Sequence, residues 1–233
     1  VFNSLGNTIG HGARSLGNLI SKNQGNGIHL EGAEARLNII AGNEIGTTAR
    51  FDPDSGKEHP GNEGDGIRLE AEVTSNQIGG SVEDIVNGAV AERVSPNEIA
   101  NNKGAGVSVL GGAGSGISIL HNGIYNNSRS GIEVAGSAAA SPRFDLDFNG
   151  DWIASGPNST GLIPGTVIQV FGDPDSSSPE GALLLGETTA RSDGSWEIPA
   201  LAPNIFRNIT ITFTNPSTGS TSGFGSIAYN PHL

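Results

Sequence analysis

Gly27-Ile28-His29-Leu30, Gly66-Ile67-Arg68-Leu69, Gly106-Val107-Ser108-Val109, Gly116-Ile117-Ser118-Ile119 and Gly131-Ile132-Glu133-Val134 repeat one short pattern. A glycine precedes two aliphatic residues that flank a variable one. In a strand, successive side chains point to opposite faces. Ile28 and Leu30 are therefore expected to face inward and His29 outward, and likewise Ile67 and Leu69 around Arg68. A second pattern is Asn-x-Ile followed by a small residue. It occurs at Asn7-Thr8-Ile9-Gly10, Asn18-Leu19-Ile20-Ser21, Asn38-Ile39-Ile40-Ala41, Asn43-Glu44-Ile45-Gly46, Asn76-Gln77-Ile78-Gly79 and Asn97-Glu98-Ile99-Ala100. The two patterns alternate, with spacers of about ten residues where nothing is inserted. A strand, a turn, a strand and a turn then make one coil, and successive coils stack like motif on like motif. Roughly six coils at ~4.8 Å each predict a rod of about 30 Å.

Composition supports narrow coils. The chain has 233 residues, with 36 Gly and no Cys or Met. Gly at about twice its usual share suits many tight turns. The recurring Asn tolerates left-handed turn conformations, and its amide can bond the equivalent Asn one coil away. These asparagines are expected to be structural.

The net charge of -12 argues against a phosphate backbone as partner, because that requires clustered Lys and Arg. An anionic membrane surface is disfavoured for the same reason. No apolar run is long enough to span a bilayer. Without cysteine there is no disulfide framework. Val1-Phe2-Asn3 begins inside the repeat pattern, as expected for a mature or internal piece of a longer precursor.

The repeat resembles the right-handed parallel β-helix of bacterial secreted and surface proteins, a group that includes pectate lyases, polygalacturonases, alginate epimerases, phage tailspikes and NosD-like periplasmic proteins. The resemblance covers residues 1–135 and implies fold more than function, since this fold hosts lyases, hydrolases, epimerases and inert stalks. Residues 47–61 and 81–95 interrupt the pattern and are expected to be loops inserted between coils.

After Val134 the texture changes. Residues 136–164 read as a linker or junction with an acidic loop, and residues 165–233 as a small antiparallel β-sandwich. Thr166–Phe171, Ala182–Glu187, Trp196–Ile198, Arg207–Thr214 and Ser222–Tyr229 are the expected strands, with a hairpin turn at Asp193-Gly194. Ile209, Ile211 and Phe213 share one face. The stretch from Gly165 to Ser226 resembles the Ig-like or carboxypeptidase-regulatory-like modules that follow β-helix repeats in bacterial surface proteins. The fold class expected is thus all-β: a right-handed parallel β-helix followed by a small β-sandwich.

Few motifs point to chemistry. Asp145, Asp147, Asn149 and Asp151 offer oxygens at alternate positions around Gly150, like the first half of an EF-hand loop. The twelfth position is Gly156, not the bidentate Glu, so the expectation is a looser calcium site to which Asp173 and Asp175 could contribute. Gly10-His11-Gly12 resembles the Gly-His-Gly of polygalacturonases, but their adjacent aspartates and Arg-x-Lys are missing. Arg68 beside Asp65 could mimic the base of a lyase, although an outward solvated Arg68 is the expectation. His29, His59, His121 and His232 show no metal-ligand spacing. Trp152, Trp196, Tyr125 and Tyr229 are the candidate sugar platforms, with Trp196 expected in the core.

The sequence leans away from catalysis and toward an extracellular structural or adhesive module of a bacterial surface protein. Its open β-helix end would be covered by another subunit or by upstream coils, with head-to-tail assembly into a filament as one outcome. The alternatives are a carbohydrate-active enzyme on an acidic polysaccharide and a non-catalytic glycan-binding module. A carboxylate cluster with one basic residue would favour the enzyme. An exposed aromatic row would favour binding, and an uncapped first coil would favour assembly.

Overall fold

Strands of two to four residues cannot stand alone, and here each is stabilised by a copy of itself one coil away. The computed structural model describes residues 1–11, 17–47, 60–80, 95–135, 145–148, 152–156, 162–173, 179–201, 206, 208–225 and 228–229. Coil one consists of β1 (Thr8–Gly10), β2 (Leu19–Ile20) and β3 (Ile28–Glu31). Coil two has β4 (Ile39–Ala41), β5 (Glu44–Ile45) and β6 (Ile67–Glu70). Coil three has β7 (Gln77–Gly79), β8 (Glu98–Ala100) and β9 (Val107–Val109), and coil four has β10 (Ser118–Leu120), β11 (Gly123–Tyr125) and β12 (Ile132–Val134).

The coils stack into three parallel four-stranded sheets. Sheet A holds β3, β6, β9 and β12; sheet B holds β1, β4, β7 and β10; sheet C holds β2, β5, β8 and β11. The parallel β-solenoid is therefore as expected, but among the described residues each coil carries three strands rather than two, and four coils are seen rather than six. The Asn-x-Ile copies divide between two sheets. Asn38 and Asn43 stand only five positions apart, so the chain turns a corner between them and enters a new sheet. Gly116-Ile117-Ser118-Ile119 also changes class, because Ser118 pairs with Gln77 in sheet B and not with sheet A.

Registered aliphatic columns fill the interior. Ile28, Ile67, Val107 and Ile132 stack in sheet A, and Leu30, Leu69, Val109 and Val134 stack beside them. Sheet B contributes Ile9, Ile40, Ile78 and Ile119, and sheet C contributes Ile20, Ile45, Ile99 and Ile124. The glycine before each sheet A strand is there for close approach: a Cβ on Gly66 would lie 2.6 Å from the Gly106 carbonyl oxygen.

Three ladders of asparagine run along the corners. Each Asn donates from its backbone N and its Nδ2 to Oδ1 of the Asn one coil on. Asn7 bonds Asn38, which bonds Asn76. Asn18 bonds Asn43, then Asn97, then Asn122. Asn23 bonds Asn62, then Asn102, then Asn127. The spare Nδ2 hydrogen satisfies strand carbonyls, as Asn102 does for Ala100 and Ile45. Lys22, Asn101 and Asn126 hold positive φ immediately before the third ladder, turning the chain into the corner.

The remaining strands are β13 (Asp145–Phe148), β14 (Trp152–Gly156), β15 (Val167–Asp173), β16 (Leu183–Thr189), β17 (Trp196–Leu201), β18 (Asn208–Thr214) and β19 (Ala228–Tyr229). They form two antiparallel sheets, β13-β14-β17 and β16-β15-β18-β19. The stretch read as a junction thus supplies two strands. A turn does form at Asp193-Gly194, where Gly194 N donates to Arg191 O and Gly194 has φ 79. It joins strands of different sheets instead of closing a hairpin. Trp196 is buried between the sheets, edge-on to Phe213 at 6.3 Å between ring centroids, with Ile209 and Ile211 in the same core.

Asn102→Ala removes the acceptor of Asn62 N and of one Asn62 Nδ2 hydrogen, the other staying on Ile20 O, and the donor to the carbonyls of Ala100 and Ile45 in the interior. At about 1–3 kcal/mol per unsatisfied buried group, unfolding in urea should show a loss of roughly 3 kcal/mol or more. Asn18→Ala, on the half-buried first coil, should cost about 1 kcal/mol. Equal small losses at both positions would remove the ladder from the account of stability.

Candidate functional site

The outward positions of sheet A gather charge. His29 pairs in register with Arg68, and Glu31 with Glu70. Arg68 donates from Nε at 3.0 Å and Nη2 at 2.8 Å to Glu70 Oε2, and its Nη1 lies 3.6 Å from Asp65 Oδ2. His29 Nε2 is 2.9 Å from Glu70 Oε1. The hydrogen bond from Arg68 holds the Glu70 carboxyl below its usual range, against the opposing effect of desolvation. Glu70 is therefore a persistent anion. His29, Glu31 and Glu70 bring one ligand atom each within 4.8 Å of one another.

Arg68 is only partly solvated, with a third of its side chain exposed, and is held between two carboxylates. Asp65 is buried and has a structural duty: its Oδ1 accepts from Ala105 N, and its own N donates to Asn26 Oδ1. It continues a partial fourth ladder. No linear spacing marks His29 as part of a cluster, because the cluster is made by stacking. Aligning Gly27-Ile28-His29-Leu30-Glu31 over Gly66-Ile67-Arg68-Leu69-Glu70 is the signal that finds it.

The other expected sites are placed as follows. Asp145 and Asp147 lie on β13, while Asn149, Asp151 and Asp175 fall outside the described residues. Asp173 is fully buried and its Oδ2 accepts from Glu180 N. His11 is exposed just past β1, and Gly12 lies outside the described residues. Tyr125 and Trp196 are buried, so neither offers a sugar platform; the side chains of Trp152 and Tyr229 are not among those described. Most of the two inserted stretches, residues 48–59 and 81–94, also lies outside the described residues, yet the sheets keep register on both sides.

The two ends of the solenoid differ. At the first coil, Phe2, Leu5 and Leu19 are 69%, 55% and 56% exposed. Ile9 and Ile20 are only partly buried, whereas their column mates Ile40 and Ile45 are fully so. Phe2 bridges Glu31, which starts a further row on sheet A.

At the fourth coil every sheet meets the antiparallel part. Ile124 of β11 and Gly181 exchange backbone hydrogen bonds of 2.8 Å. Above β10, Thr221 N donates to Ile117 O and Ile119 N donates to Thr221 Oγ1. Phe224 covers Gly131 beside β12 and packs edge-on to Phe171 at 5.4 Å. His121 Nε2 lies 2.7 Å from Glu187 Oε2, which also accepts from Gln169 Nε2.

Glu180 terminates the third ladder. Its Oε1 accepts from Asn127 N at 3.0 Å and Asn127 Nδ2 at 3.3 Å, the two bonds that another asparagine would take. Desolvation pushes this carboxyl up to about 7, with the nearby Asp173 adding to the shift and the Asn127 bonds opposing it.

No protein-family model matches the sequence, and no curated protein matches it. No described helix is long and apolar enough to cross a membrane, which says nothing of strands that cross as a barrel.

Because the folded-state value of Glu180 lies above the unfolded one, its contribution is complete below pH 4.5 and is lost as pH rises through about 7. Glu180→Gln keeps the acceptor and removes the titration. Thermal unfolding should show wild type losing roughly 3 kcal/mol relative to this variant between pH 4.5 and 8. Parallel pH curves for the two proteins would show that ionisation at Glu180 does not affect the junction.

Proposed function

We propose that this chain is a structural or adhesive module of a bacterial extracellular protein. The solenoid serves as a stiff spacer, the antiparallel sheets close one end, and the first coil is the assembly surface. The observation that carries this reading is the contrast between ends: exposed Phe2, Leu5 and Leu19 and half-buried Ile9 and Ile20 at the first coil, where only β3 is bordered, by Val1–Asn3, among the described residues, and a covered fourth coil. Open sheet edges recruit further strands unless something covers them. The resemblance of the repeats to the β-helices of bacterial secreted and surface proteins supports an extracellular location. The proposal includes calcium held by Asp145, Asp147, Asn149 and Asp151, of which Asn149 and Asp151 lie outside the described residues.

With one end covered, head-to-tail stacking would have to displace the contacts of Gly181, Thr221 and Phe224. Two copies meeting first coil to first coil form a closed pair instead. Light scattering coupled to size exclusion should show dimers increasing with concentration, and Leu5→Lys with Leu19→Lys should return the protein to monomer. A strictly monomeric wild type at every concentration would count against the first coil as an assembly surface. Long filaments under the electron microscope would mean that the closing sheets move aside.

The carboxylate cluster with Arg68 on sheet A favours a second reading, binding or cleavage of an acidic polysaccharide. Incubation with pectate and alginate tests it, using Arg68→Ala as the control. Asp65→Ala is unsuitable because Asp65 also holds Ala105. Absence of both turnover and binding removes this reading.

A further inference from the structure

We infer that the outer face of sheet A carries a site for a divalent transition metal, with His29 Nε2 and one carboxylate oxygen each from Glu31 and Glu70 as its protein ligands. The inference does not rest on the assembly reading: β3 is the first-coil strand of sheet A, but these side chains project from the outer face of β3 and β6, and metal binding is read by its own titration.

Backbone register is the first argument. Glu31 and Glu70 are directly opposite in a parallel pair, and His29 stands two residues before Glu31 on the same outward side. The diagonal from His29 to Glu70 is within reach of long side chains, and their facing atoms are already 2.9 Å apart. All three ligand atoms fall within 4.8 Å of one another. Metal bonds of about 2.0–2.2 Å set tetrahedral ligand atoms roughly 3.4 Å apart, so the His29–Glu70 contact opens slightly and wider separations within the cluster close by up to about an ångström, a rotamer adjustment rather than a backbone movement.

Charge is the second argument. Two carboxylates directly opposite on neighbouring strands repel, and both are half-buried. Arg68 answers only part of this: its guanidinium is engaged by Glu70 Oε2 and Asp65. Among the described residues, the Glu31 carboxylate has no hydrogen bond or ion pair. A dication inserted among Nε2, Oε1 of Glu70 and Glu31 replaces one proton on the imidazole contact and neutralises the repelling pair. Arg68 keeps Glu70 Oε2 occupied, so Glu70 binds through Oε1 alone. Arg68 is thus a positioning residue.

The donor set selects the metal. One imidazole nitrogen and two carboxylate oxygens suit Zn²⁺, Co²⁺ or Ni²⁺, whereas Ca²⁺ takes six to eight oxygens. Three protein ligands on a partly exposed face leave a position open to water or to an oxygen of a bound molecule.

Titration of the full chain with Zn²⁺ by calorimetry tests the site, with Co²⁺ absorption as the second probe. One saturable equivalent is expected. His29→Gln and Glu31→Gln should each weaken it by at least about tenfold. Both side chains are on the surface, so the variants should keep the circular dichroism spectrum of wild type. Zn²⁺ should raise the melting temperature of wild type and not that of the His29→Gln, Glu31→Gln double variant. Absence of saturable binding, or binding of equal strength in the double variant, would overturn the site.

Discussion

The coil-to-coil asparagine bond sets the geometry of the whole solenoid. An Asn side chain that accepts from both the backbone and the side chain of its predecessor fixes the rise between coils and the direction of the corner together. Buried amides are costly unless satisfied, and here Asn43, Asn97, Asn62 and Asn102 have their bonds met within the ladder or by strand carbonyls. A polar corner of this kind lets a thin aliphatic core suffice, because the turns do not depend on water. The columns of Ile, Leu and Val then fill a cross-section whose dimensions the ladders have already determined.

Much of this architecture was legible from the residues. Four of the five Gly-Ile-x-Leu copies located sheet A, the copy at Gly116 falling in sheet B, and the inward and outward sides of Ile28, His29 and Leu30 follow from strand alternation alone. The third sheet was harder to see because β2 and β5 are two residues long and share their motif with sheet B. Only the tight corner between Asn38 and Asn43 separates the two classes. The third ladder was also missed, although an Asn stands four residues before the glycine in Asn23–Gly27, Asn62–Gly66, Asn102–Gly106 and Asn127–Gly131. Four of the sandwich strands lie within a few residues of their expected bounds, while Ser222–Tyr229 shrinks to Ala228–Tyr229; sheet membership was not legible, since the turn at Asp193-Gly194 is the same whether or not its strands pair. The charged cluster on sheet A was hidden because Glu31 and Glu70 are far apart in sequence and meet only through stacking.

The closing sheets do more than lie against the solenoid. They copy its chemistry: Glu180 occupies the place of the next asprgine-like acceptor, and Gly181 continues sheet C by one bridge. Thr221 supplies an acceptor and a donor where β10 would meet another strand. The junction therefore behaves as an imperfect fifth coil, built from an antiparallel fold. Its titrating replacement, a carboxyl in place of an amide, makes this end sensitive to pH near neutrality.

The corner between sheets C and A shows how the solenoid grows. From Ile20 to Asn23, from Ile99 to Asn102 and from Ile124 to Asn127 the chain advances three residues, whereas from Ile45 to Asn62 it advances seventeen. The ladder and both flanking sheets stay in register across that difference. Loop length at this corner is thus uncoupled from the stack, and sequence can lengthen or diversify there without renegotiating the fold. A scaffold with this property is a natural display frame, able to carry unrelated peptides at a fixed pitch along a rigid edge.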